Sequence, residues 1–215
     1  AHFSLPKRTW GSEKMDRRSF VILVAATSAV AGNAIAHPIE RYDATVQPSE
    51  LPQEFLPREV DIIQGFEPFE IHVVPQEFAM YWTLPEDRAL RYTVGIGRPG
   101  LYEQGEFYVG ALRKWPSWTP TPAMIRRQPD VYKQFEDGVP GGPGNPLGAR
   151  GIYLYQPGRG DTMLRIHGTD EPETVGQAVS NGCARLVNDQ LIEFYDRVPI
   201  GTRVVLYPTT GNFTL

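Results

Sequence analysis

The sequence predicts a mainly β domain, an antiparallel β-sandwich or barrel-like fold with a few short helices. Three observations lead there. Short apolar and aromatic runs recur between turn residues from about residue 66 to residue 207. Glycine (21) and proline (20) are abundant enough for many turns, yet below the level of a disordered low-complexity chain. Hydrophobic residues make up 41% of 215 residues, enough for one core in one ordinary domain.

The chain divides into residues 1–36, 37–57 and 58–215. In the first part, Met15-Asp16-Arg17-Arg18-Ser19-Phe20 precedes an apolar run from Val21 to Ala31, followed by Ala34-Ile35-Ala36. A charged start, an apolar stretch and a small-x-small site define an export signal. The paired Arg17-Arg18 gives it a twin-arginine look. The apolar run has 11 residues, against about 20 needed to cross a bilayer. Cleavage with a mature start at His37, and no stable membrane span afterwards, is the expectation. Residues 37–57 carry Pro38, Pro48, Pro52 and Pro57 and read as an extended linker or strap.

The third part opens as a meander. Phe69 to Val74, Phe78 to Leu84 and Ala89 to Gly97 read as three strands, separated by Pro75-Gln76-Glu77 and Pro85-Glu86-Asp87-Arg88. Glu106 to Trp115 continues the β pattern. Pro122 to Phe135 holds one or two short helices, interrupted at Pro129. The Gly- and Pro-rich stretch from Val139 to Gly148 is irregular, either lining a site or forming a plain surface turn. Gly151 to Tyr155 and Thr162 to His167 are strands, and Thr174 to Val179 is a short helix. Asn188 is a suitable N-cap for a helix over Asp189 to Val198. Thr202 to Tyr207 closes the domain as a strand.

Charge excludes one class of partner. The net charge is −4, whereas nucleic acid calls for a basic face. Metal chemistry is short of ligands, because catalytic zinc takes about three protein ligands and the chain offers one cysteine and two internal histidines. No cofactor is expected. Gly95-Ile96-Gly97-Arg98-Pro99-Gly100 imitates a phosphate loop, but no helix follows it.

The chemistry points to Cys183, the single cysteine, in Ser180-Asn181-Gly182-Cys183-Ala184-Arg185. An exported chain with one unpaired thiol suggests a reactive group or an intermolecular bridge. A thiol needs a neighbouring base. Of four histidines, His2 and His37 lie at the signal and its end, and His72 falls inside a strand. His167, ending a strand before Gly168, is the base by elimination. Gly168 and Gly182 permit close backbone approach, and the Gly182 and Cys183 amides can serve an oxyanion. Ser180 either makes a local turn bond or orients the imidazole. Arg185 either holds a substrate carboxylate or forms an ordinary ion pair. A buried, inert cysteine beside an unrelated histidine is the competing reading. Trp115-Pro116-Ser117-Trp118-Thr119-Pro120 either flanks a substrate or packs in the core.

His167-Gly168-Thr169, Gly176 and Ser180-x-Gly182-Cys183-x-Arg185 together resemble the L,D-transpeptidase catalytic domain (YkuD / ErfK-YbiS type). Asn188-Asp189, Tyr195-Asp196-Arg197-Val198-Pro199-x-Gly201-Thr202 and the upstream Trp115–Pro120 and Pro140–Gly148 runs add to the likeness, which covers about Val60 to Tyr207. The resemblance implies a periplasmic cell-wall enzyme, with Cys183 as nucleophile, His167 as base, and Arg185, Asn181 and Thr169 on the substrate. It implies peptidoglycan stem peptides as partners, a thioester acyl-enzyme, 3→3 cross-links and acylation by carbapenem-type inhibitors. L,D-carboxypeptidase or exchange activity, attachment of a lipoprotein, and a catalytically silent wall-binding module are the rivals. Many members carry histidine where this chain has Asn181, and the third member of the triad is unassigned.

Overall fold

The structure is a computed structural model and describes residues 38–169, 171–211, 213 and 215. The export signal and the start at His37 lie outside the described residues. Eleven strands run in chain order: β1 (Arg58–Asp61), β2 (Ile71–Val74), β3 (Ala79–Leu84), β4 (Arg88–Thr93), β5 (Ile96–Gly97), β6 (Gly105–Lys114), β7 (Arg150–Gln156), β8 (Gly160–Thr169), β9 (Ala178–Ser180), β10 (Ala184–Val187) and β11 (Arg203–Leu206). Among the described residues four α-helices accompany them: α1 (Pro38–Asp43), α2 (Pro122–Arg127), α3 (Pro129–Tyr132) and α4 (Asn188–Tyr195). None is long and apolar enough to cross a membrane.

Nine strands make one sheet in the order β1-β4-β3-β2-β11-β6-β7-β8-β10, and β5 pairs with β9 in a second. The sheet is mixed. The meander predicts antiparallel neighbours, and β2-β3-β4 and β6-β7-β8 obey it, but β10 lies parallel to β8 and β11 parallel to β2. Local turn chemistry specifies hairpins; it carries no information about strands that return from a distance. The sheet also curls. Gly95, just past β4, exchanges two backbone hydrogen bonds of 2.9 and 2.8 Å with Arg185 on the end strand β10. That contact brings the far edge round and gives the fold its barrel-like closure.

Inward-facing residues of the strands fill the main core, including Ile71, Met80, Trp82, Tyr92, Ile152 and Ile166, and a smaller buried cluster holds Val74, Ala79, Tyr81 and Ala89. Helix α4 covers the main core with Leu191 and Phe194, both fully buried, and the Phe194 ring meets Trp82 edge-on at 5.7 Å. Predicted strands end where the backbone departs from extended geometry. Phe69 takes φ 68° and stays outside β2; Phe78, at φ 47°, stays outside β3. The run read as Ala89 to Gly97 breaks at Val94, whose N–H turns to Phe78 O. Residues 174–179 form no α-helix; a 3-10 turn over Pro172–Thr174 leads into β9. Residues 38–57, within the stretch read as an extended linker or strap, hold α1 and a 3-10 turn at Gln53–Phe55.

This 38–57 segment is tied to the domain by polar contacts. Asp43 accepts two hydrogen bonds from Arg150, at 2.8 and 2.7 Å, and one from Trp115 Nε1 at 2.8 Å. Ser49 Oγ donates to Asp189 at 2.8 Å. Trp115 is therefore buried in structure rather than presented to a substrate.

Candidate active site

Parallel pairing of β10 with β8 builds the site. Ala184 pairs with Ile166 and Arg185 with His167. Side chains alternate along strands, so paired Ala184 and Ile166 enter the core while Arg185 and His167 point to the opposite face. Cys183, one residue before Ala184, falls on that same face with Arg165. All four line one cavity of about 580 Å³.

His167 is nearly buried, at 7% exposure. Its Nδ1 lies 2.7 Å from Gly168 O. A carbonyl oxygen only accepts, so Nδ1 carries the proton and Nε2 keeps a lone pair. Burial is the main cause that pushes this imidazole down to about 4; Arg185 and Arg165 push the same way against the carbonyl. At neutral pH it is an uncharged base. Gly168 O thus fills the orienting place that the sequence left unassigned. Gly168 itself must be glycine: a Cβ there would come within 2.1 Å of Asn188 Oδ1. The same oxygen accepts from Ala149 N at 2.8 Å. The sequence suits Asn188 to an N-cap, but Val187 takes that place with no side-chain cap bond, and the Asn188 amide lies against Gly148 and Gly168.

Cys183 keeps partial exposure at the cavity wall. Dense packing around the sulfur raises its pKa, while the Arg165 backbone N–H and the Arg165 and Arg185 charges oppose that rise. The resting pair is therefore neutral thiol and neutral imidazole. Ser180 Oγ donates to Cys183 O at 2.6 Å and accepts from Gly182 N at 3.2 Å. Of the two roles read for Ser180, the turn bond is the one made. It also engages the Gly182 N–H that was expected to face an oxyanion.

Arg165 escapes notice in the sequence, although its spacing two residues before His167 puts it on the same face. It forms a bidentate pair with Asp161 at 2.6 and 2.9 Å and stacks 3.8 Å over Tyr153. A bulge in β8 over residues 162–164, with Met163 at φ 65°, brings Asp161 back into reach. Arg185 pairs with exposed Glu171 at 3.2 Å and also lines the cavity. Asn181 joins the nucleophile turn to the α2–α3 segment: Arg127 donates to its Oδ1 at 2.8 Å, and its Nδ2 donates to Tyr132 OH at 2.7 Å. Trp118, Pro146 and Leu147 also line the wall. Thr169 does not; it is buried and its Oγ1 accepts from Glu171 N at 3.1 Å. Among the described residues, no three His, Cys, Asp or Glu side chains gather as a metal site.

Fold and cavity define a β-rich domain that presents a thiol from the turn before β10 and an imidazole from its parallel neighbour β8. The chain belongs to the L,D-transpeptidase (YkuD) catalytic-domain family, whose profile matches residues 68–206. It is 34% identical over 141 residues to the probable L,D-transpeptidase ErfK/SrfK of Escherichia coli K12, covering 64% of this chain and 44% of that one. It is 42% identical over 123 residues to the putative L,D-transpeptidase YqjB of Bacillus subtilis, covering 57% of this chain and 61% of that one. The chain thus spans only part of the length of these relatives. A Brucella melitensis crystal structure described as a probable carnitine operon oxidoreductase is 40% identical, with a TM-score of 0.49, covering 79% of this chain and 99% of that one.

Proposed function

We propose that this protein is a cysteine-dependent peptidoglycan L,D-transpeptidase that forms 3→3 cross-links. The observation that carries the reading is that Cys183, at the entry to β10, and His167, on its parallel partner β8, line one cavity, with the imidazole held as an Nδ1–H tautomer. His167 Nε2 takes the Cys183 proton as sulfur attacks the L,D peptide carbonyl before the terminal D-alanine of a donor stem. The tetrahedral oxyanion is met by the Cys183 N–H. Collapse breaks the C–N bond, the imidazolium protonates the departing amine, and a thioester remains on Cys183. The side-chain amine of a second stem attacks the thioester; its proton passes through Nε2 to the released sulfur. A neutral base needs no charged state at rest, which suits an imidazole pushed down by burial.

In this reading residues 1–36 are an export signal of twin-arginine type, residues 37–57 a strap on the domain, and 58–215 the catalytic unit in the periplasm. Carbapenem-type inhibitors acylate the same sulfur. The test is intact-protein mass after incubation with a tetrapeptide stem and, separately, with a carbapenem. Each should leave an adduct on the wild type and none on Cys183→Ala. An adduct that survives in Cys183→Ala overturns the assignment of the nucleophile.

A further inference from the structure

The Gly95-Ile96-Gly97-Arg98 segment has no part in the chemistry above. It lies against the nucleophile turn. A Cβ on Gly97 would approach Gly182 Cα to 2.8 Å, and one on Gly95 would approach Arg185 Cγ to 2.9 Å. The two glycines let this backbone press against the turn, and Arg98 N then donates to Ser180 O at 3.0 Å. Arg98 thereby enters the cavity that holds Cys183.

The charges lining that cavity are not balanced. Arg165 is matched by Asp161 and Arg185 by Glu171. Glu103, which also lines the wall, is taken by Arg159. Arg98 and Arg127 have no acid partner among the described residues. Arg127 is exposed and spent on Asn181 Oδ1. Arg98 gives one hydrogen bond, from Nη2 to Val179 O at 3.1 Å, and its Nε is buried with no acceptor. A buried donor on a cation without an anion is costly unless a ligand completes it.

We propose that Arg98 is a substrate-recognition residue whose guanidinium binds a carboxylate of the acyl-donor peptide beside Cys183. This rests on the acyl-transfer reading above. Two carboxylates of a tetrapeptide stem share the needed chemistry: the terminal one on the departing D-alanine, and the free one on the diamino acid before it. A planar, forked donor suits either one.

Two measurements test it. Alkylation of Cys183 by iodoacetate and by iodoacetamide needs no transpeptidation, so it stands even if the acyl-transfer reading fails. The iodoacetate-to-iodoacetamide rate ratio should fall about tenfold in Arg98→Gln, the size of one charge-assisted hydrogen bond. Arg98→Lys should keep most of the preference. An unchanged ratio in Arg98→Gln overturns the inference. The second measurement compares kcat/KM for free tetrapeptide and for peptides amidated at one carboxylate or the other. Amidation of the recognised carboxylate should cost the wild type about tenfold and cost Arg98→Gln nothing further. If Arg98→Gln loses the same factor on all three donors, Arg98 is structural and the inference fails. A wild type that turns over none of the donors sinks the acyl-transfer reading, and the alkylation ratio still decides for Arg98.

Discussion

Removing one carboxylate should loosen the 38–57 segment from the domain and leave a charge stranded. Asp43 receives three hydrogen bonds, from Trp115 Nε1 and both terminal nitrogens of Arg150. Arg150 is 2% exposed, against 29% for the Asp43 side chain. Breaking a buried pair costs about 3–5 kcal/mol because the remaining ion cannot return to water. Two contacts soften this: Arg150 keeps a 2.9 Å bond to Ala149 O and a place 5.4 Å from the Tyr195 ring. Partial exposure of Asp43 reduces the figure further, so Asp43→Ala should cost about 2–4 kcal/mol at pH 7. For a chain of this size that is a drop in Tm of roughly 4–16 °C. Asp43→Ala/Arg150→Met should recover much of the loss, since no ion remains buried. The sign against pH also follows. Hydrogen bonding to Arg150 is the main cause holding the Asp43 carboxyl below its ordinary 3.8. Its stabilising effect is present above that value and is lost as pH falls through the lower folded value. Urea denaturation of wild type and variant from about pH 1.5 to pH 8 measures the gap. A gap under about 1 kcal/mol at pH 7, against the 2–4 worked above, or one that persists in strong acid, refutes the reasoning.

Further outcomes follow from the same contacts. The acid limb of kcat/KM should fall well below the ordinary histidine value of 6.5, towards about 4, because burial holds His167 neutral; a midpoint left at 6.5 refutes that environment. The same depression makes the folded state lose stability as pH drops from 6.5 to about 4, where the unfolded chain binds the extra proton; His167→Gln should flatten that slope in denaturant titrations. Gly168→Ala forces a Cβ against Asn188 Oδ1 and should cost about 1–3 kcal/mol and lower kcat more than KM. A fully active Gly168→Ala shows that the Gly168–Asn188 contact does not position His167.

The β class and most strand positions were legible because turn residues and alternating apolar runs act locally. Residues 122–135, read as one or two short helices, hold α2 and α3, with Pro129 starting α3. What escaped was non-local. Nothing in Ala184-Arg185-Leu186-Val187 announces a parallel partner eighteen residues earlier, nor in Arg203–Leu206 a partner at Ile71. At the site, His167 and Cys183 could be named from residue type and motif. The orienting carbonyl of Gly168 could not, since every residue has one. Arg165 could have been found from its period-two spacing to His167. Arg98 was visible only as part of a failed phosphate-loop match, because the close packing of Gly95 and Gly97 against the nucleophile turn needs coordinates. Thr169 shows the reverse error: it follows His167 by two residues at the end of β8, yet its hydroxyl is taken by Glu171 N and it is absent from the cavity wall.

The position of β11 has a consequence for how the chain is made. Arg203–Leu206 is sandwiched between β2 and β6, in the middle of the nine-stranded sheet. A ribosome-bound chain lacking those residues leaves two interior ladders open, each with unsatisfied amides and carbonyls. The halves on either side, β1 to β4 and β6 to β8, can form hairpins early but lack the central strand that joins their ladders. Folding of the sheet therefore waits for Arg203–Leu206 to be made, and a chain stopped before residue 203 should yield an aggregating fragment rather than a shortened domain.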